Sequence, residues 1–241
     1  MEDTCPDCIF PASNSEGVAD LLPTLQGDFF DYPLAWGSVR RTGDYRGRTI
    51  LFYIDDYRFA ALGNAIEYGS HFRQLWERPD KVWQSGAPSF VEANFSTSNS
   101  QPRWRALEQI GKKRYLSRYF QERGMRCWVD LNVAPRWWDI NLLGLPLGWK
   151  AYATRIEKNS SLQSIMDQAS LAESQAGTDA IRFVVYGHRQ EMEDLCKKEG
   201  WIYVDEQSSI WDKRESNKAR KASMQIEVEQ PRNQRTLMEM I

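Results

Sequence analysis

The chain has 241 residues, 27% of them charged, and a formal net charge of −2. That length suffices for one substantial core and requires no second domain. So small a net charge excludes a globally basic or acidic surface, and any patch that attracts nucleic acid or membrane must be local.

Taken in chain order, residues 1–26 read as a loosely structured leader rich in small and polar residues. Its acidic start lacks the apolar run of a signal peptide, and no 18-residue apolar stretch could span a bilayer, so a cytoplasmic protein without membrane contact is expected. Cys5 and Cys8 form a CPDC in this leader. A zinc site needs four convergent ligands and only one CxxC pair is visible, so four reduced thiols, with Cys127 and Cys196, stand as the alternative. The aromatics, ten each of Trp, Tyr and Phe, serve either as core fillers or as platforms for bases and sugars.

The body alternates. Strand patterns run over Thr49–Asp55, Ser89–Phe95, Met125–Val133, Trp149–Ile156, Ala180–Tyr186 and Trp201–Asp205, with a weaker one at Pro33–Val39. From Leu162, the residues Ile165, Met166, Ala169 and Ala172 repeat at helical spacing between the caps Asn159-Ser160-Ser161 and Gly177. A second helix from Gln190 carries Met192, Leu195 and Cys196 inward and stops at Gly200. This alternation predicts one α/β domain over 27–211, built of βα repeats with mainly parallel strands. Residues 212–241 read as a basic, mobile tail.

Side-chain parity refines the architecture. In one strand Cys127, Val129, Leu131 and Val133 share a face opposite Trp128, Asp130 and Asn132; in another, Val91, Ala93 and Phe95 oppose Phe90, Glu92 and Asn94. Strands covered on both faces read as near-continuous apolar runs. Two strands with a polar face point instead to a barrel or partial barrel with a polar lumen, or to a sheet with one open face.

Several segments follow a known order: TILFYIDDYRF at 49–59, LWERPDKVW at 75–83, YLSRYFQERGMRCWVDLNV at 115–133, GLPLGW at 144–149 and VYG at 185–187. In this order they resemble the DUF4417 family across residues 27–206. The resemblance implies a protein of bacteria, phages or other mobile elements, with no established activity. Residues 60–72 look like an insertion against the family pattern and the basic tail like an addition. No catalytic residue carries over.

Three functions compete. Asp55, Asp56, Glu92, Asn94, Asp130 and Asn132 fall near strand ends, with His188 and Asp205 on later ones. Oxygen ligands converging there, Asp56, Glu92, Asp130 and Asn132, could hold Mg²⁺ or Mn²⁺, with Arg155 or Arg182 on a phosphate. Asp56, Glu92, Asp130 and His188 are then the candidate catalytic groups, and a hydrogen-bonded polar lumen is the inert alternative. Adjacent aspartates point to opposite faces, so one of Asp55 and Asp56 enters such a cluster and the other caps the next helix.

The second function is binding of DNA or RNA, in a phage- or plasmid-type setting, with replication as a candidate process. Arg103, Arg105, Lys112, Lys113, Arg114, Arg118, Arg123 and Arg126 interleave with Trp104, Tyr115, Tyr119 and Phe120, and Lys213, Arg214, Lys218, Arg220 and Lys221 form a second basic group. Cations neutralise phosphates and rings stack on bases. Arg103, Arg105, Lys112, Lys113, Arg114, Tyr115, Arg118, Tyr119, Lys218, Arg220 and Lys221 are the candidate contacts, a solvated helix face plus a plain tail being the alternative. The third function is a non-catalytic protein-interaction module. Walker, Rossmann, HExxH and GxSxG motifs are absent from the sequence.

Overall fold

The structure, a computed structural model, describes residues 9–28, 33–35, 46–53, 80–157 and 159–205. Among the described residues seven strands stand in one sheet in chain order: β1 (Pro33–Ala35), β2 (Thr49–Leu51), β3 (Ser89–Val91), β4 (Arg126–Asp130), β5 (Ala151–Arg155), β6 (Arg182–Gly187) and β7 (Ile202–Asp205). Every registered pair from β1–β2 to β5–β6 is parallel. Parallel neighbours need crossovers. Helices α1 (Asp80–Gln84) and α2 (Arg103–Gln121) flank β3, α3 (Trp138–Asn141) follows β4, and α4 (Leu162–Ala176) and α5 (Gln190–Glu199) flank β6.

The sheet curls into a half-barrel with flanking helices, as the parity of the strands led one to expect. One contact shows the curvature. Tyr53, just past β2, stacks on Tyr186 of β6 with ring centroids 5.6 Å apart. Four strand spacings separate those strands, roughly 19 Å in a flat sheet. Only a concave face brings the rings together.

Local chemistry explains the helices. Ser161 and Ser164 form a capping box at the start of α4, whose Ile165, Ala169, Ala172 and Ala176 are buried. The helix ends where Gly177 takes φ 66°, a left-handed conformation that favours glycine. Met192 and Cys196 anchor α5.

The N-terminal segment departs from the leader reading. Residues 9–28 are docked on the half-barrel, with Val18, Ala19 and Leu21 buried. Gln121 accepts from Leu22 N and donates to the carbonyls of Leu22 and Leu25. Gln26 bridges Cys127 in parallel fashion, and a Cβ on Gly27 would lie 2.3 Å from the Trp128 ring, so only glycine fits there. The segment has no apolar periodicity; Leu21 enters the core, and polar side chains and backbone hold the rest, which a search for helical or strand spacing does not reveal.

Two cores result. The main one fills the half-barrel and the space under its helices. A smaller one joins Ala106 and Ile110 of α2 to Trp137 and Ile140. It supports the part of α2 that runs past the C-terminal edge of the sheet.

Candidate functional site

At the C-terminal ends of β3 and β4 four charges lie in the interior: Glu92, Lys113, Arg114 and Asp130, each at most 1% exposed. Arg114 uses its whole fork. Its Nη1 donates to Glu92 Oε1 at 2.5 Å, its Nη2 to the Asn141 carbonyl at 2.6 Å and its Nε to the Leu143 carbonyl at 3.1 Å. Lys113 Nζ donates to the Asp130 carbonyl at 2.9 Å and stands 3.6 Å from Asp130 Oδ2 and 3.9 Å from Glu92 Oε2. Tyr53 and the Asn132 N–H both donate to Asp130 Oδ1, at 2.7 and 3.0 Å. The Asp130 N–H donates to Glu92 Oε2, so a side chain takes over a bond where β3 has ended.

Burial dominates the electrostatics. It raises the Asp130 carboxyl above its usual range, with the Lys113 charge opposing. It lowers the Lys113 ammonium, with Asp130 and Glu92 opposing. Burial and the neighbouring Asp130 charge push the Tyr53 hydroxyl well up, which keeps it a donor. Two cations against two anions make the network neutral. It ties β3 and β4 to α2 and α3.

This geometry corrects two expectations. The register pairs Phe90 with Cys127 and Val91 with Trp128. Partners in a parallel ladder share a face, so Glu92 falls in line with Phe90 and Cys127 toward α2, and Asp130 in line with Val91 and Trp128. The two carboxylates therefore do not share one lumen face; they meet at the seam from opposite sides. Each is also met by a buried cation, Glu92 by Arg114 and Asp130 by Lys113, so among the described residues these two carboxylates are not an uncompensated pair. Among the described residues no group of three or more His, Cys, Asp and Glu side chains could hold a metal.

The other candidates scatter. Asn132 donates to Glu157 at 3.0 Å, and His188 is exposed just past β6. Arg182 begins β6, at the opposite edge of the sheet, and donates to the Gly27 carbonyl at 2.8 Å, so it faces no strand-end site. Arg155 ends β5 at the expected edge. Asp55, Asp56, Cys5, Cys8, Lys213, Arg214, Lys218, Arg220 and Lys221 lie outside the described residues. Cys127 and Cys196 are free buried thiols, pushed up by burial, Cys196 to about 11.

The basic aromatic segment is one helix, α2, and half of its candidates are corrected. Lys113 and Arg114 belong to the interior network. Arg118 is buried, with Nε and Nη2 on Glu122 and Nη1 on the Asp20 carbonyl. Tyr119 is 1% exposed and donates to Asp80 at 2.7 Å. None of the four presents itself to phosphate. The sequence held a signal for this: Ala106, Ile110, Lys113, Arg114, Ser117 and Gln121 follow helical spacing, so the cations sit within the apolar stripe.

The first turn of α2 is different. It follows Pro102 with no side-chain cap and no acidic residue, and it carries Arg103 and Arg105, the opposite of what the helix dipole favours. Trp104 between them is 67% exposed. Arg103 pairs with Asp139 at 3.0 Å and Glu16 at 3.6 Å; Arg105 pairs with Glu108 at 2.7 Å, and Lys112 contacts the same Glu108. Arg136 lies close by in the fold, donating to the Asn99 carbonyl in the loop that leads into α2. Tyr115 is half-buried, its ring 5.0 Å from that of Phe10.

No family model matches the chain. It is similar to a phage protein, the Gene 1 protein of Mycobacterium phage D29, with 25% identity over 214 residues, covering 85% of this chain and 71% of that protein. Among the described residues no helix is long and apolar enough to cross a membrane.

Proposed function

We propose that this is a mobile-element protein of phage or plasmid type that binds nucleic acid, in replication, through the first turn of α2 and the basic segment Lys213–Lys221. The observation that carries it is Trp104, 67% exposed between Arg103 and Arg105 on an uncapped helix start. An exposed ring among arginines combines a stacking face for bases with cations for phosphates. Lys218, Arg220 and Lys221 add further cations in the basic segment. The similarity to a phage protein and the resemblance to DUF4417 support the mobile-element setting.

The half-barrel is the scaffold in this reading. Metal-dependent phosphate chemistry has less behind it, because Glu92 and Asp130 already compensate Arg114 and Lys113. The test is binding of the full chain to labelled oligonucleotides across a salt series. Affinity that falls as salt rises is expected, with a slope that counts the phosphates neutralised. Absence of binding even at low salt overturns the proposal.

A further inference from the structure

We infer that the partner of the α2 surface is single-stranded nucleic acid, selected over duplex by stacking of an unpaired base on Trp104; this rests on the nucleic-acid reading above. The inference follows from counting charges. Arg103 and Arg105 both stand in ion pairs, with Asp139, Glu16 and Glu108. Lys112 shares Glu108 with Arg105. Few cations around Trp104 are therefore in excess of their acids, whereas duplex binding of useful strength rests on neutralising several phosphates at once.

The ring supplies what the charges lack. Stacking contributes on the order of 1–3 kcal/mol per base and needs an exposed base face. Single strands offer that face freely. A duplex hides it unless a step is unstacked, at a cost of a few kcal/mol. The helix turn that carries Trp104 is anchored by a small core, in which Ala106 and Ile110 pack with Trp137 and Ile140.

The experiment compares a labelled oligo-dT with a hairpin duplex of equal length, using the full chain and two variants, Trp104→Ala and Lys218→Gln/Arg220→Gln/Lys221→Gln. Wild type is expected to prefer oligo-dT. Trp104→Ala should weaken oligo-dT binding roughly tenfold with an unchanged salt slope, unchanged duplex affinity and unchanged melting temperature, the size a single stacked base implies. The triple variant should flatten the salt slope for both probes and keep the preference. Equal affinity for both probes, or full oligo-dT affinity in Trp104→Ala, overturns the stacking inference while nucleic-acid binding stands. Binding to neither probe overturns both.

Discussion

The two halves of α2 carry the same number of basic residues and meet opposite fates. Residues 103–112 bury only Ala106 and Ile110; residues 113–121 bury everything except Tyr115. Each half carries three basic residues, with one aromatic ring, Trp104, in the first and three, Tyr115, Tyr119 and Phe120, in the second. What differs is what lies beneath them. The second half packs on the half-barrel, where Glu92 and Asp130 await its cations, and the first half extends about 15 Å beyond the level of Lys113. A run of basic and aromatic residues therefore states nothing about accessibility until its helix is placed against a sheet.

The strongest way to break this comparison is Arg114→Ala. It leaves Glu92 buried opposite no guanidinium and strips the Asn141 and Leu143 carbonyls of their donor. Removing one partner of a buried ion pair costs about 3–5 kcal/mol. Urea denaturation should show a loss of that order. A loss under about 1 kcal/mol, the range of surface pairs, means the second half of α2 is not the interior anchor described here.

Lys113→Met should cost somewhat less, because Asp130 can take up a proton to relieve its lost partner. Its carboxyl is already raised by burial, and without Lys113 it rises further. A carboxyl whose folded value exceeds its unfolded one binds more protons when folded, so its stabilisation is full below the unfolded value and is lost as pH rises through the folded one. The deficit of Lys113→Met relative to wild type should thus shrink as pH falls from 7 toward 4. A deficit that grows instead removes Asp130 as the group facing Lys113. Adding Asp130→Asn to Lys113→Met should recover much of the loss at neutral pH, since both charges then disappear together.

The fold was legible in the sequence to the extent that it rests on apolar patterning. TIL, SFV, CWV, AYA and RFVVY lie in strands β2 to β6, in keeping with apolar, β-branched and aromatic residues packing on a pleated surface, and the αβ alternation allowed little besides a parallel sheet. Register was not legible. A shift of one residue between β3 and β4 decides whether Glu92 and Asp130 share a face, and pattern alone does not set it. Lys113 and Arg114 were misplaced because charged side chains are seldom fully buried, although their position in the apolar stripe of α2 pointed inward. The docked segment 9–28 escaped notice for a related reason: Gln26, Gln121 and Arg182 hold it by hydrogen bonds to backbone, and such bonds leave no periodicity.

A milder test within the buried half is Tyr119→Phe, which deletes the bond to Asp80 and leaves the ring in place. One hydrogen bond to a partly exposed carboxylate contributes about 1 kcal/mol. The Asp80 carboxyl is held below its ordinary 3.8, chiefly by Tyr119 and next by Trp83. A folded value below the unfolded one stabilises above the unfolded value, and the effect vanishes as pH falls through the folded one. Wild type and Tyr119→Phe should therefore differ at pH 7 and converge below about pH 3. A constant gap across that range would assign the loss to packing.

The smallest expected effect on stability is the most discriminating for function. Arg105 pairs with Glu108 at three residues' spacing and is 43% exposed, and Lys112 remains on Glu108 when Arg105 is removed. Exposed pairs of this kind contribute about 0.2–0.5 kcal/mol, so Arg105→Ala should melt within a degree or two of wild type. Its affinity for oligo-dT should nevertheless fall a few-fold, more at low salt than at high, since it removes a cation next to Trp104. Stability lost without affinity would make the first half of α2 an anchor like the second. Affinity lost without stability is what separates the two halves of one helix into a structural end and a binding end.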